Sequence, residues 1–234
     1  MVISMSEIKL SPWYRINSTD DYVWIELLSG THRVLSSSVL NGGISEARHL
    51  LNLKVPRCFD GNEQPAETLQ TFADTLGAEG PVVGMMTAAS MDSIRCYREQ
   101  VQGIELVAVV TCGLDNARRV GDQAEYRSMV SEPHEVGTIN IIVLSSARLS
   151  LAAMVEAVQM ITEAKTAALM AAGISSPVSA EPATGTGTDA VAVVSGLGME
   201  RVQYCGKHVL FGEVLGRIAF NAVQDSIRWY QPPY

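Results

Sequence analysis

The chain has 234 residues, 47% of them apolar and 18% charged, and carries a formal net charge of −8. That is enough chain for one α/β domain with a sizeable core, and the negative balance argues against nucleic acid or an anionic membrane surface as the main partner. No apolar run approaches a membrane span, no basic-then-apolar leader opens the chain, and four scattered cysteines (Cys58, Cys96, Cys112, Cys205) without a C-x-x-C pair suit free thiols in a reducing cytoplasm.

Residues 1–21 read as an irregular N-terminal segment, with Pro12 and the turn-forming run Asn17-Ser18-Thr19-Asp20-Asp21. Strands are expected over 22–28 and 32–40, joined across Ser29-Gly30-Thr31 as an N-terminal hairpin. Overlapping the second of these, Ser36-Ser37-Ser38-Val39-Leu40-Asn41-Gly42-Gly43 ends in a double glycine, a first candidate cradle. A short helix over 45–53 would set His49 and Asn52 three positions apart on one face. Pro65 before and Gly77 after a helical pattern from Thr68 to Leu76 predict a helix there. Residues 81–90 read as a buried strand, 91–100 as a short helix or turn, and 103–113 as a strand. The polar loop over 114–135 that follows is long enough for a lid or binding loop. Cys112, at its entry, would act as a nucleophile only with a histidine close in space.

Residues 137–144 form a clear strand, polar at Gly137-Thr138-Ile139-Asn140 and apolar beyond. In the helix expected over 149–172, a turn of about 100° per residue puts Leu151, Met154, Val155, Val158, Thr162, Lys165 and Leu169 on one stripe. Glu156, Gln159 and Glu163 fall on a narrow polar strip beside it. Lys165 thus stands on an apolar face, where an ammonium costs several kcal/mol, of order ~3 or more, unless it is paired or reaches a site. Either its stem packs and its head snorkels to water, or it points into a pocket and pairs with a carboxylate such as Asp189.

The densest polar run is Ala183-Thr184-Gly185-Thr186-Gly187-Thr188-Asp189, which precedes a short buried strand over 190–194. It fits G-x-G-x-x-A formally, yet a dinucleotide fingerprint must follow a strand and open a helix, and a P-loop needs Lys-Ser/Thr after its second glycine. What remains is a corner of backbone N–H groups, threonine hydroxyls and one carboxylate. After an extended run over 200–205, Gly206-Lys207-His208 opens a last helix to about Trp229. Its expected buried stripe is Phe211, Val214, Leu215, Ile218, Ala222 and Trp229, with His208 and Glu213 in its first turns. Strands alternating with helices after an N-terminal hairpin predict an α/β fold, a mixed β-sheet flanked by helices in a single compact domain. The four histidines offer no ligand spacing, so no metal site is signalled.

Taken together, Gly137-Thr138-Ile139-Asn140, Thr162-Glu163-Ala164-Lys165-Thr166, the 183–189 run, and Gly206-Lys207-His208 with Gly212-Glu213 resemble the adenosylcobinamide amidohydrolase family, as does the 36–43 run. The match extends from about Val34 to Glu213. The resemblance implies hydrolysis of the amide joining a corrin propionyl side chain to aminopropanol, giving adenosylcobyric acid in corrinoid salvage. The corrinoid is then substrate, not cofactor, and homo-oligomerisation is left open.

Amide hydrolysis needs an activated nucleophile, a stabiliser for the tetrahedral oxyanion and an acid for the leaving amine. For these roles chemistry selects Asp189 as general base with Glu163 as substitute, Lys165 and the N–H groups from Gly185 to Thr188 as oxyanion donors, and His208 or His49 as acid. Asn41, Gly42, Gly43, His49, Thr138, Asn140, Thr162, Thr184, Gly185, Thr186, Gly187, Thr188 and Glu213 would bind the corrin and its carboxamides. In a covalent variant, Thr184 or Thr138 is the nucleophile after autocleavage. The competing functions are a corrinoid carrier or sensor without turnover, and an enzyme of phosphate or nucleotide chemistry using the Gly-Thr corner.

Overall fold

Two β-sheets packed face to face occupy the centre of the protein, seen in a computed structural model that describes residues 9–56, 64–124 and 138–230. Cys58, Gly137 and the second half of the 114–135 loop lie outside those residues. The first sheet begins with β1 (Lys9–Leu10), β2 (Tyr14–Ser18) and β3 (Tyr22–Leu27), and the chain then crosses to the second sheet for β4 (His32–Ser36) and β5 (Gly43–Ala47). It returns for β6 (His49–Lys54), passes through α1 (Pro65–Thr75), and adds β7 (Val82–Thr87) parallel to β6. The first sheet has the order β1-β2-β3-β6-β7.

The remaining chain completes the second sheet and its cover. β8 (Arg95–Val101) and β9 (Ile104–Cys112) form a hairpin, followed by the short β10 (Ala117–Arg118), then β11 (Ile139–Ser145) and β12 (Arg148–Leu149). After α2 (Leu151–Ala171) come β13 (Gly185–Thr186), β14 (Ala190–Val194), β15 (Arg201–Val202) and α3 (Leu210–Tyr230). The second sheet has the order β5-β4-β14-β11-β9-β8, and its parallel pair is β11 with β14. β10 pairs with β13 outside it.

Side chains alternate across each strand, so each sheet feeds two cores. Val23, Ile25, Leu50 and Met85 meet Val34, Val107, Ile142 and Ala192 between the sheets. The odd-numbered Ile141 and Val143 and the even-numbered Val110 turn the other way, onto Met154, Ile161 and Leu169 of α2 and Val214, Leu215 and Ile218 of α3. α1 lays Leu69 and Ala73 over Leu51, Leu53 and Val82 on the first sheet's outer face. The result is a four-layered α/β domain: helix, sheet, sheet, helices.

Several expectations change in detail. The stretch up to Asp21 is not irregular throughout, because β1 and β2 lie in it. An N-terminal hairpin exists, but it joins β2 to β3. The segment Ser29-Gly30-Thr31 is instead a corner between sheets, since β3 pairs with β2 and β6 while β4 pairs with β5 and β14. The helix expected over 45–53 is β5 and β6. Helix-favouring Glu46 and Ala47 yield to pairing of β5 with β4, and Leu50 and Leu51 to pairing of β6 with β3 and β7, because tertiary pairing outweighs propensities of about 0.2–0.7 kcal/mol per residue. Only Met91–Ser93 of the 91–100 segment is helical, as a single 3-10 turn.

On α2 the buried stripe is rotated from the expected one. Ala153, Ala157, Ala164 and Ala168 line it with Met154, Ile161, Lys165 and Leu169, whereas Leu151 and Val155 are exposed. Ser150 caps the helix by accepting the Ala153 amide at 3.0 Å. Trp229 at the end of α3 is likewise exposed in part, and Ile227 takes the core position.

Candidate functional site

Asp189 stands between the β13 corner and the first residue of β14, on the helix side of the second sheet. Its carboxylate is enclosed by donors. Oδ1 accepts the Ile139 amide at 3.0 Å and the Thr186 hydroxyl, while Oδ2 accepts the Thr186 amide at 3.0 Å and the ammonium of Lys165. Four donors fill the acceptor capacity of one carboxylate. The two charged side chains retain 9% and 11% exposure, so the pair is almost desolvated and sits just under the surface.

The corner that carries Asp189 is built around this pair. A Cβ on Gly185 would fall on Asp189 Oδ2 and 2.9 Å from Lys165 Nζ, so any side chain there would have to displace the pair. Neither Gly185 nor Gly187 has a positive φ, so a left-handed turn is not what these glycines provide. Thr184 is a strut: its amide donates to Arg118 O at 2.9 Å, its hydroxyl accepts the Val120 amide at 2.8 Å, and its carbonyl accepts the Thr166 hydroxyl at 3.0 Å. The Gly187 amide donates to Asn116 O at 3.2 Å. The amides of Thr186 and Gly187, expected as oxyanion donors, are therefore committed to protein acceptors. Lys165, 7% exposed, and Thr186, which is partly exposed, are the remaining side-chain donors at this corner.

On the opposite face of the same strands lies a neutral network. Asn140 Nδ2 donates to Asn52 Oδ1 at 2.7 Å and to Met86 O at 2.9 Å, and Asn52 Nδ2 donates to Thr111 Oγ1 at 2.8 Å. Thr138 joins the two faces: its hydroxyl donates to Thr188 O at 2.7 Å and lies 3.3 Å from Asn140 Oδ1. Asn140 and Thr138 are each 1% exposed, so they tie the sheets together and do not face solvent. The 36–43 loop closes this end. Ser37 exchanges hydrogen bonds with Val191, Leu40 with Gly84, and Asn41 (φ 54°) donates to Val82 O at 2.7 Å. A Cβ on Gly42 would strike the Ser38 carbonyl, and Gly43 has φ 83°. The two glycine-rich motifs thus meet at one end of the second sheet, with the buried Ser38 hydroxyl lacking a partner among the described residues.

Other expected site residues are placed elsewhere. Glu163 lies two positions from Lys165, about 200° around a helix of 3.6 residues per turn, and forms an exposed ion pair with Lys207. Thr162 is exposed and donates back to Val158 O at 2.8 Å. Glu213 is exposed and pairs with Arg217 one turn on. His208 is exposed ahead of α3, and no hydrogen bond places it at Asp189. His49 belongs to the first sheet's outer face, stacked on Trp24 at 4.7 Å with Nε2 3.3 Å from Glu79 O; burial lowers its pKa. Two layers separate it from the pair. Cys112 is fully buried, and both burial and the Asp189 charge push its thiol pKa up, which removes it as a nucleophile.

Thr111 and Asn52 were not singled out for the site. Their signal was polar residues recurring at sheet-facing positions in apolar strands, which becomes legible only once the strand partners are known. Among the described residues, no group of three or more His, Cys, Asp or Glu is placed to hold a metal ion. Among the described residues, no helix is long and apolar enough to cross a membrane.

Comparison with known proteins returns a family model described as adenosylcobinamide amidohydrolase, matching residues 9–232. A protein of that name from Methanosarcina mazei is 29% identical over 210 residues, covering 86% of this chain and 92% of its own. An uncharacterized protein from Methanocaldococcus jannaschii is 31% identical over 201 residues, 79% of this chain and 78% of its own. Among solved structures, a Burkholderia β-aminopeptidase (TM-score 0.45, 12% identity, 97% of this chain and 82% of that one) is a distant likeness. So is the Ochrobactrum anthropi L-aminopeptidase D-Ala-esterase/amidase (TM-score 0.40, 8% identity, 97% and 81%).

Proposed function

The chain belongs to the adenosylcobinamide amidohydrolase family, and from that premise we propose that it hydrolyses the aminopropanol amide of adenosylcobinamide at the Lys165–Asp189 pair. The products are adenosylcobyric acid and aminopropanol, a step of corrinoid salvage in the cytoplasm, with the corrinoid as substrate. The observation that carries this is a nearly desolvated ammonium and carboxylate, with the hydroxyl of the partly exposed Thr186 donating to the carboxylate.

In this mechanism Thr186 is the relay. Its hydroxyl already donates to Asp189, so its oxygen is free to accept from an incoming water. As water attacks the amide carbon, its proton passes to Thr186 Oγ1 and the threonine proton passes to Asp189. Lys165 stays charged and pairs with the oxyanion, where low dielectric strengthens it. The C–N bond then breaks, and the proton returns from Asp189 through Thr186 to the amine nitrogen. No histidine is needed, in keeping with where His49 and His208 lie.

The saturated hydrogen bonding of Asp189 favours a second function, a corrinoid carrier in which the pair is purely structural. Incubating the purified chain with adenosylcobinamide and measuring released aminopropanol separates the two: release supports hydrolysis, and binding without release supports the carrier. Release that persists in both Lys165→Met and Asp189→Asn refutes the assignment of the pair. A single species at full chain mass excludes autocleavage before Thr138 or Thr184.

A further inference from the structure

At the other end of the second sheet, β12 and β15 run parallel in a register that sets Arg148 directly beside Arg201. Like charges opposed in a ladder repel and weaken it, so the arrangement calls for a counter-charge. Both arginines line a cavity of about 490 Å³ together with Arg33, Ser150 and Gln203, and among the described residues the one carboxylate in its wall is Glu46, the cross-strand partner of Arg33. Among the described residues, none of the three arginines forms an ion pair, although Arg15, Arg98, Arg217 and Arg228 all do. Arg148 is held in place by donating from Nε and Nη2 to Leu197 O at 3.3 and 3.2 Å, which leaves the rest of its guanidinium fork available.

We propose that this cleft binds a phosphate-bearing small molecule. Three guanidinium groups against one carboxylate leave a surplus of two positive charges, which matches a phosphoryl dianion, in a chain whose net charge is −8. Planar guanidinium forks meet phosphate oxygens in paired hydrogen bonds. The α2 N-terminus beside Ser150 adds a favourable dipole. The volume exceeds that of a phosphate alone and leaves room for the group that carries it. The site is separate from the proposed amide chemistry and does not depend on it: from Ser150 to Lys165, α2 rises about 22 Å at 1.5 Å per residue.

Calorimetric titration of the intact chain with pyrophosphate and with ADP tests the proposal, with citrate as a carboxylate control. Saturable binding of at least one phosphate probe is expected, weakened at least ~10-fold in Arg201→Gln and in Arg33→Gln and unchanged in Thr186→Val. These arginines are exposed, so both variants should fold, and Arg201→Gln should raise the unliganded melting temperature because it removes the repulsion from Arg148. Absence of saturable binding at about 10 mM probe, binding that ignores both arginine substitutions, or citrate binding tighter than either phosphate probe would overturn it.

Discussion

The two faces of the second sheet, at the end where β11 and β14 begin, handle buried polarity in opposite ways. The face toward the helices carries a charged pair, Lys165 with Asp189, left 9–11% exposed. The face toward the first sheet carries a neutral chain, Asn140 to Asn52 to Thr111, closed off at 1–3% exposure. Amides can be buried cheaply when every group is bonded, whereas a charged pair repays its desolvation only with near-complete satisfaction. Charge therefore stands where some solvent contact remains, and neutral amides stand where burial is almost complete. The proposed chemistry is assigned to the first face, and the hydrogen bonds of the second tie the two sheets together.

The sharpest way to break that contrast is Lys165→Met. Turnover should fall by about 10³-fold with the oxyanion partner gone. The stranded Asp189 should also lower stability by about 3–5 kcal/mol, read as a shift of the urea midpoint, and Asp189→Asn in the same chain should recover part of it. Next in size is Thr186→Val, expected to lower kcat by about 10²-fold with corrinoid binding retained, and to lower stability by about 1–3 kcal/mol because Asp189 Oδ1 loses one of its donors. Unaltered kcat would remove the relay. On the other face, Asn140→Leu leaves Asn52 Oδ1 and Met86 O without their donor and should cost about 1–3 kcal/mol, with turnover per folded molecule retained. Lost turnover in a well-folded Asn140→Leu would reverse the assignment of the two faces.

The smallest effect sharpens the contrast through pH. Burial lowers the pKa of His49 and of His32, so the unfolded chain binds more protons than the folded one. Their contribution to stability is fully present above the unfolded value of about 6.5 and declines as pH falls from there toward the depressed folded values. His49→Gln should flatten that decline in a series of denaturant titrations, while the dependence of kcat on pH stays as in the parent chain, since His49 lies two layers from the pair.

Much of this was legible in the sequence, and the failures have physical causes. Lys165 was conspicuous because helical periodicity placed it among apolar neighbours, and Asp189 because so polar a corner precedes an apolar strand. The stripe on α2 was misplaced at Leu151 and Val155 because bulk was weighted over fit: the alanines at 153, 157, 164 and 168 let α2 pack closely on the sheet and on α3. Glu163 looked useful because it is near Lys165 in sequence, but two residues on a helix turn it away. The 45–53 error came from local propensity, which cannot register that β3 and β7 flank β6. Layer membership was the missing quantity throughout, since neither the corner at Gly30 nor the Asn52–Asn140 bond can be inferred without knowing which sheet each strand joins.

The reciprocal bonds between Leu40 and Gly84 have a mechanical consequence. They bolt a loop of the second sheet onto a strand of the first at the end where both glycine-rich runs meet, which ties the two sheets to each other there. The amide protons at positions 40 and 84 should accordingly be among the last to exchange with deuterated solvent.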